Sequence, residues 1–489
     1  MFKSLESAMP RRPIRVFNTV VAGAACFASC HPFAIESNSR QRFPSPFLAA
    51  RLLFIIVCLL AEGAMAQNTS APSRKLILTG AVDLALKQNL DLQIANIETA
   101  TKQQDRVIAR SELLPHASFE ADDSVNRHNL RALLGIQIPI SNVPHSIGPY
   151  GVARVGSTFS ALVFDLTLIR QYQESGHRLL ASRADEQTVR EETVLLTVSE
   201  YMAHLRALAS ITAAGSRVQL ATRLARQADD LLKDGIASKI DVSRAQVRLR
   251  EEQQRLIDAQ RDADTTLYAL KRILNLPDSQ QIEFADQQDF FQTPSLDLSD
   301  PLARALVERP ELHSLDESIK AAQSAHKAAF AKSLPKITAD GFWDLQGQTF
   351  STATPGYQYQ VFMSLPIFTG GRLRAERKST ALAEQRAQKQ LAQVRNQVTE
   401  QVRDGQVELQ SALHQVDLGR QEVQLANEEV TLSQGRFQSG VTDNIEVTQA
   451  QDSLARANDT EIGALFRYNI ARAQLARAAG SVEQTYTHP

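Results

Sequence analysis

The stretch KDGIASKIDVSRAQVRL, Lys233–Leu249, has a second version in QSGVTDNIEVTQAQDSL, Gln438–Leu454. Both read glycine, aliphatic, small, two polar residues, isoleucine, acid, valine, hydroxyl, any residue and Ala-Gln. The two glycines, Gly235 and Gly440, are 205 residues apart (440 − 235). Similarity at one fixed offset predicts that the same supersecondary unit occurs twice, so the duplication has to be interpreted first.

A second pair of matching stretches extends the duplication. LLPHASFEADDS, which begins at Leu113, resembles SLPKITADGFWD, which begins at Ser333, and their prolines are 220 residues apart (335 − 115). The first half therefore holds 15 additional residues (220 − 205), which we place in a loop around Ser124–Tyr150. Proline and glycine are frequent there, so we expect irregular structure. The predicted divisions are a first repeat at 67–290, a second at 291–480 and a C-terminal tail at 481–489.

The N-terminal segment has the features of an export signal. RLLFIIVCLLAEGAMAQ, Arg51–Gln67, combines a basic flank, a short apolar core and an Ala-x-Ala site, which predicts a leader and secretory signal peptide at 1–66. Residues 1–40 are interpreted as an over-long start or an unusual leader, with lipid modification of Cys26 or Cys30 left open. All 3 cysteines lie in this segment, so we expect no disulfide or cysteine metal site in the mature chain.

The bulk composition argues against several classes of function. The net charge is −1 and the pI is near 6.8, so nothing favours a nucleic-acid partner. The 10 histidines are scattered, without an H-E-x-x-H motif, and the sequence has no P-loop, so we predict no enzyme, no cofactor and no metal site. A metal site at His116, His128 and His145 is the less favoured alternative.

Short helices and then strands are predicted in each half. Thr79 and Ser299 are the expected N-caps of two short helices, and the helices that follow, Asp91–Leu114 and Glu311–Leu334, are expected to end before prolines. The hydrophobic period then changes to two, as in KITADGFWDLQG and YQYQVFMSL, with HASFEAD and VARVGSTFSALVF as first-half equivalents. We therefore predict four strands, each near the ~9–11 residues that cross a bilayer.

The strand pattern alone does not decide between a membrane strand and a soluble hairpin with one wet face. The aromatic residues expected to form an interfacial girdle are Phe342, Trp343, Tyr357 and Tyr359. Four strands cannot close a membrane barrel, and an open edge is not tolerated in lipid. If the strands lie in a membrane, several chains must share one barrel.

Very long helices complete each half. Leu166–Lys233 and Arg372–Gln438 contain no proline, and each would be ~100 Å long if unbroken. Return helices are predicted at Ser238–Leu274 and Asp443–Ala479. They carry apolar residues every seven positions, which indicates coiled-coil-like packing. These residues are Val242, Leu249, Leu256, Ala263 and Leu270 in the first half, and Ala450, Ala457, Ala464, Ala471 and Ala478 in the second.

Four features carry a family resemblance: LTGAVDLALKQNLDLQ, the two Leu-Pro helix ends, LPIFTGGRLRAE (Leu365–Glu376) and the two glycine turns. Together they resemble the TolC-like outer membrane efflux protein family over about 75–480. One departure is LVFDLTLIRQ, the first-half counterpart of LPIFTGG, which lacks the proline and the double glycine. The fold class expected is mainly α with a membrane β-barrel, in which three chains of four strands each share a barrel joined to an α-helical barrel.

The resemblance also implies partners and a location. A homotrimer in the outer-membrane lipid would extend into the periplasm of a Gram-negative cell, dock on a membrane-fusion adaptor protein and reach an inner-membrane pump through it. The duct itself would be passive. We expect the adaptor to contact the two hairpin tips, which comprise Gly235, Ile236, Ala237 and Ser238 in the first half and Gly440, Val441, Thr442 and Asp443 in the second.

The resemblance suggests a gate beside these tips. Glu446 falls where some relatives have an acid that rings the narrow mouth, and Asp241 is its first-half counterpart. A carboxylate ring would select cations. Gln449 is neutral where a second acid can occur, and Thr442 replaces a basic residue that helps to lock the mouth in some relatives. The alternative is that Asp241 and Glu446 are first-turn acids favoured by the helix dipole.

Three functions remain after the sequence has been considered. An efflux channel for small molecules such as drugs leads, and the exit duct of a type I protein secretion system is the second. The third is a periplasmic coiled-coil scaffold without a pore, which does not explain why both halves insert paired strands at the same point.

Overall fold

The computed structural model describes residues 74–129, 146–235, 237–294, 296, 299–439, 441–442 and 444–487. The predicted leader at 1–66, with its signal peptide and cysteines, lies outside the described residues. Each half contributes two short helices, two strands and two long helices. The helices are α1 Leu78–Gln88, α2 Leu90–Ser111, α3 Leu166–Lys233, α4 Lys239–Ile273, α5 Pro301–Glu308, α6 Pro310–Ala331, α7 Arg372–Gln438, α8 Asn444–Ala478 and α9 Val482–Thr487.

The four predicted strands form one antiparallel sheet. Its order is β2 (His116–Asn129), β3 (Ser146–Phe164), β5 (Lys336–Gly347) and β6 (Thr354–Ser364). A separate parallel pair joins β1 (Arg74–Leu76) to β4 (Ile282–Phe284). Each half therefore supplies one hairpin, and the two hairpins meet between β3 and β5.

The prediction of an irregular loop at Ser124–Tyr150 was wrong at both ends. Strand β2 continues to Asn129 and β3 begins at Ser146, while residues 130–145 lie outside the described part. Strand β3 tolerates Pro149 because the pairing of β3 with β2 is irregular at that point. The register shifts between Asn126 and His128 of β2, so Pro149 has no ladder partner there. The additional residues of the first half thus lengthen its strands as well as its loop.

The two long helices begin and end where the sequence predicts, at Leu166–Lys233 and Arg372–Gln438. The return helices each begin one residue later and end one residue earlier than predicted. Helices α2 and α6 end at Ser111 and Ala331, three residues before the predicted ends, because the final residues before each proline form turns.

Both predicted N-caps of the short helices were wrong. Helix α1 begins after Ile77, whose side chain cannot cap, and the Leu78 N–H instead donates to Asp286 Oδ2 at 2.9 Å. Helix α5 is capped by Asp300, whose Oδ1 accepts from the Ala303 N–H at 3.1 Å. In both helices a carboxylate accepts the hydrogen bond that was predicted for a hydroxyl. The carboxylate at α1 belongs to Asp286, which lies far along the chain, and the one at α5 belongs to Asp300.

The long helices pack as two hairpins, α3 with α4 and α7 with α8, and α8 also packs against α3. The alanines predicted to form the α8 seam are all buried: Ala450, Ala457, Ala464, Ala471 and Ala478. Gly405 and Gly419 of α7 face this helix so closely that a Cβ on Gly419 would lie 3.2 Å from the Glu461 Cα. Small residues therefore allow the α7 and α8 backbones to approach each other.

One apolar core joins the short helices to the middle of α3 and to the C-terminal parts of α4 and α8. Val194, Val198 and Tyr201 of α3 are fully buried there with Val82 of α1 and Leu465 of α8. Among the described residues, no helix has the length and apolar character required to span a membrane.

Candidate functional site

The first hairpin tip is a tight glycine turn followed by a capped helix. Gly235 has a φ of 76°, a conformation that glycine adopts without steric cost, and it follows the last residues of α3. The Ser238 Oγ accepts from the Asp241 N–H at 3.3 Å, and the Ser238 N–H donates to Asp241 Oδ2 at 3.1 Å. This reciprocal capping box makes Ser238 the N-cap of α4.

The Asp241 carboxylate accepts hydrogen bonds from Ser238 of the same tip. The hydrogen bonds from the Ser238 side chain and backbone lower the pKa of its carboxyl, with a smaller contribution from Arg244. Asp241 therefore stays ionised at neutral pH, and its carboxylate serves the first turn of α4.

The second tip is held by different chemistry. The Val441 N–H donates to the Arg436 carbonyl at 3.0 Å, which closes the end of α7. Glu446 Oε1 lies 3.2 Å from Arg436 Nη1, and its Oε2 accepts from the Thr442 hydroxyl. Glu446 thus joins the two helices of its hairpin, and Arg436 is a partner that the sequence analysis missed.

The remaining predicted tip residues divide into two groups. The Ala237 N–H donates to the Leu231 carbonyl at 3.1 Å. Gln449, which was predicted for the gate, is exposed on α8. Ile236, Gly440 and Asp443 lie outside the described residues. The roles of the tips in docking and of Asp241, Glu446 and Gln449 in a gate stay predictions.

The sheet has one apolar face. Tyr357 and Val361 of this face are 72% and 73% exposed, although both are large and apolar or aromatic. The register places the following cross-strand neighbours on this face: Ala117, Phe119, Ala121, Val155, Ser157, Phe159, Ala161, Ile337, Ala339, Gly341, Trp343, Leu345, Tyr357, Tyr359, Val361 and Met363. The β5 positions from Ile337 to Leu345 span roughly 26 Å, close to the ~25 Å apolar band of membrane barrels.

Gly341 allows the aromatic packing on this face. A Cβ there would lie 2.3 Å from the Phe159 ring and 2.8 Å from the Tyr359 ring. The centroids of these two rings are 5.7 Å apart, directly above the glycine. The face is therefore packed along its surface while its outer side remains uncovered in the single chain.

The opposite face is polar. The Ser118 and Thr158 hydroxyls are hydrogen-bonded at 2.6 Å, and Arg154 Nε donates to Asp122 Oδ1 at 3.0 Å. A depression of about 370 Å³ is lined from this face by His116, Ser118, Thr158, Ser160, Asp340, Phe342, Gln358 and Gln360. Such a surface suits water, and the other face suits lipid.

One residue of the predicted aromatic girdle lies on the wrong face. Phe342 pairs with Thr158 and Gln358 on the polar side, because successive residues of a strand point to opposite faces. Trp343, Tyr357 and Tyr359 do share the apolar face. The alternative metal site gains no geometric support, since His116 and His128 lie at opposite ends of β2 and His145 lies outside the described residues.

The sequence profile of the outer membrane efflux protein family matches residues 81–276 and 302–481, one stretch in each half. The pyoverdine export outer membrane protein OpmQ of Pseudomonas putida is 24% identical over 412 residues, with 82% of this chain and 83% of OpmQ covered. The probable efflux pump outer membrane protein TtgC of the same species is 24% identical and covers 83% of both chains. The alkaline protease secretion protein AprF of Pseudomonas aeruginosa is 22% identical over 66% of this chain and 68% of AprF.

The fold is also similar to solved channels. The crystal structure of the Campylobacter jejuni CmeC outer membrane channel superimposes with a TM-score of 0.71 at 19% identity, covering 83% of this chain and 86% of CmeC. At this identity the likeness concerns the fold. The assignment to a family rests on the family profile, which matches both halves of the duplicated chain. The chain belongs to the outer membrane efflux protein family.

Proposed function

We propose that this chain is the outer-membrane channel component of a tripartite efflux system, a passive exit duct for small molecules such as drugs across the periplasm and outer membrane. The family is one of outer membrane proteins, and the chain is located in that membrane with a large periplasmic part. The observation that carries the proposal is a sheet with one apolar and one polar face, continued in each half by a long helix, of 68 residues in the first and 67 in the second.

The two edges of the sheet support the proposal of a barrel shared between chains. Strands β2 and β6 each have one neighbour within the described sheet, so each leaves a row of backbone groups unpaired. Such an edge is very costly in lipid, where no water can satisfy it. Pairing β6 of one copy with β2 of the next removes both edges. Three copies of the four-stranded sheet supply twelve strands, within the range of known outer-membrane barrels.

The duplication also supports a particular arrangement of the helices in the proposed trimer. Leu418 and Leu425 of α7 are exposed in the single chain. Their counterparts at the 205-residue offset, Ala213 and Leu220, line the groove that faces Leu454 of α8. The counterpart of the α3–α8 contact is therefore α7 of one copy against α4 of the next. This contact would cover the exposed α7 leucines and the exposed α4 residue Val247.

The rest of the assembly is proposed on the family resemblance. The tips, which the two hairpins carry at one end, would meet a periplasmic adaptor and through it an inner-membrane pump that supplies the energy. The chain would act as a conduit and not as an enzyme. The divisions at 1–66, 67–290, 291–480 and 481–489 are proposed as leader, two repeats and tail.

A second candidate is the exit duct of a type I secretion system, which the similarity to AprF favours. The more extensive coverage by OpmQ and TtgC, whose names concern export and efflux, supports the small-molecule duct. A deletion of the gene at its native locus separates the two. Accumulation of small-molecule substrates supports efflux, whereas retention of a secreted polypeptide supports secretion.

The experiment that tests the shared barrel is a native mass measurement on the mature chain, extracted in mild detergent from purified outer membranes. We expect a trimer that releases ions when reconstituted in vesicles. A soluble periplasmic monomer or dimer would refute the duct and leave the coiled-coil scaffold.

A further inference from the structure

The first turns of α7 carry three basic side chains on one face, which we name the basic patch. Arg374, Arg377 and Lys378 are spaced three and four residues apart, so they lie beside one another on the helix surface. Within the described part of the chain, no acid pairs with any of them, and the nearest acid in sequence, Glu376, is held by two other bases at 2.7 and 3.0 Å. Like charges at this spacing repel one another, so the basic patch favours an anionic partner.

One member of the basic patch is fixed by its neighbours. The Arg377 guanidinium lies over the Phe330 ring of α6, 4.7 Å from the ring centroid, and donates to the Ser333 hydroxyl. A guanidinium held in this way loses little further conformational freedom when its other N–H groups bind an anion.

An exposed apolar segment joins the apolar face of the sheet to the basic patch. Leu365 and Ile367 continue the alternation of Val361 and Met363 beyond the end of β6. Ile367 and Phe368 are 94% and 90% exposed. The surface that suits lipid therefore extends from the sheet to the residues immediately before α7.

The basic patch faces away from the interior of the proposed duct. Arg190 and Gln187 of α3 bind Glu483 of α9, with Arg190 Nε 2.7 Å from the Glu483 Oε2. A ring of helices around an open interior must carry any additional layer, such as α9, on its outside. Ile169 precedes Gln187 by 18 residues (187 − 169), or five turns of about 3.6 residues, so both face outward. At the 205-residue offset, Ile169 corresponds to Arg374 (169 + 205).

A neighbouring copy leaves this side of α7 open. Helix α3 packs against α2 and α6 of its own chain, and Ile169 is nevertheless 37% exposed. Val163 and Phe164, the counterparts of Ile367 and Phe368 at an offset of 204 residues (368 − 164), are likewise exposed although β3 pairs with β5. In the proposed trimer α7 lies between α6 and α2 of the next copy, so we expect the basic patch and the apolar segment to stay accessible.

The basic patch occurs in one half of the chain and has the dimensions of a headgroup layer. Its counterparts on α3 are the uncharged residues Ile169, Tyr172 and Gln173. The rise along the helix from Arg374 to Lys378 is ~6 Å. The headgroup layer on one side of a bilayer is roughly 5–7 Å thick. The three bases therefore fit within the layer that borders the apolar band.

We propose that the basic patch, together with Ile367 and Phe368, binds one anionic phospholipid per chain in the periplasmic leaflet of the outer membrane. The outward direction of the patch rests on the proposed duct. The guanidinium groups of Arg374 and Arg377 match phosphate oxygens, Lys378 adds a third charge, and the apolar segment contacts the acyl chains. A zwitterionic phospholipid offers the same phosphate, but its ammonium group is repelled by the three bases, so the site selects for net negative charge.

The single tryptophan of the chain, Trp343, allows a direct measurement of lipid contact. Trp343→Phe combined with Phe368→Trp leaves one tryptophan, which lies beside the basic patch. The purified trimer is reconstituted in vesicles of phosphatidylethanolamine and phosphatidylglycerol, with bromine on the acyl chains of one lipid or the other. Quenching of the tryptophan fluorescence by each brominated lipid then gives the relative occupancy of the two lipids at the site.

We expect phosphatidylglycerol to be favoured at least about tenfold at the new tryptophan. Trp343 of the unmodified protein, seven residues beyond the start of β5 (343 − 336), should report no preference. Arg374→Gln with Lys378→Gln should reduce the preference at the new tryptophan at least about fivefold. The matched control, Arg386→Gln with Lys389→Gln, removes two exposed bases of the same helix ~17 Å farther from the membrane and should leave the preference unchanged.

Three results would overturn the proposal. They are equal or absent quenching by the two lipids at the new tryptophan, a preference that survives the loss of both patch bases, and a preference that the control variant abolishes equally. Ile367→Trp replaces Phe368→Trp if the latter does not form the trimer. Trimer formation is read separately from the native mass. Its absence in the wild type would refute the proposed function, whereas a trimer with any of the three quenching results refutes only the lipid site.

Discussion

We predict that the folded chain gains stability through Glu191 as the pH falls from ~8 to ~5, and that Glu191→Gln removes this gain. The Glu191 side chain is buried, with Oε2 3.1 Å from Arg477 Nη1. Arg477 is shared with Glu192 and Glu311, so one guanidinium serves three carboxylates. Burial raises the pKa of Glu191 from 4.5 to about 7; Arg477 opposes the rise, Glu311 adds to it, and Arg309 and Glu483 have smaller, opposing influences.

The direction follows from comparing the folded and unfolded chains. The folded state takes up the proton near pH 7, and the unfolded state only near 4.5, so lowering the pH through this window favours folding. The gain is complete below the unfolded pKa and is lost as the pH rises through the folded one. A difference of about 2.5 units corresponds to on the order of 3 kcal/mol per chain. The pKa of Glu311 is lowered in the folded chain, so Glu311 has the opposite effect on the pH dependence of stability. Its ionised form stabilises the folded chain, and that stabilisation is lost as the pH falls through the folded pKa.

The assay is urea unfolding of the detergent-solubilised protein, followed by helical circular dichroism across this pH range. Glu191→Gln should match the wild type at low pH and be more stable by up to on the order of 3 kcal/mol at high pH. Glu192→Gln is the matched control, because this exposed neighbour faces the same guanidinium at 3.8 Å and should leave the pH dependence in place. Parallel pH profiles for wild type and Glu191→Gln would show that the buried carboxyl does not titrate in this window.

Three further predictions concern the tip, the sheet and the seam. Ser238→Ala removes the cap of α4 and should cost about 1 kcal/mol in urea unfolding, with Ser243→Ala on the same helix as a control that changes stability little. Val361→Arg places a charge on the apolar face and should make the free energy of membrane insertion less favourable by ~2–4 kcal/mol. The control, Gln360→Arg on the polar face, should insert like the wild type. Equal outer-membrane yields of the two variants would contradict the assignment of faces. Ala464→Leu overfills the buried seam of α8 and should cost ~1–3 kcal/mol, measured by thermal unfolding; an unchanged midpoint would show that the helices are not in close contact there.

Local sequence signals predicted the elements whose causes are local. The ends of α3 and α7 were predicted correctly because neither helix contains a proline and a glycine stands two positions after each in the sequence. The cap of α4 has a local cause as well, because Ser238 and its partner Asp241 lie three residues apart. The four strands were recognised because their hydrophobic period changes to two after each proline.

Features that depend on distant segments were missed. Thr79 was favoured over the real start of α1 because Asp286, which accepts from Leu78, lies 208 residues along the chain. The strands of the first hairpin extend into a proline-rich segment because pairing with neighbouring strands outweighs local composition. The pairing of Glu446 with Arg436 joins two helices across a turn, and no spacing rule marks such a pair in advance.

The duplication gives these differences a common cause. Each hairpin has one neighbour within its own chain and, in the proposed trimer, one neighbour from another copy. The residue types that both halves share, such as the glycine two positions after each long helix, are needed in both hairpins. The positions that differ lie where the two kinds of neighbour differ, as with Glu252 and its counterpart Ala457.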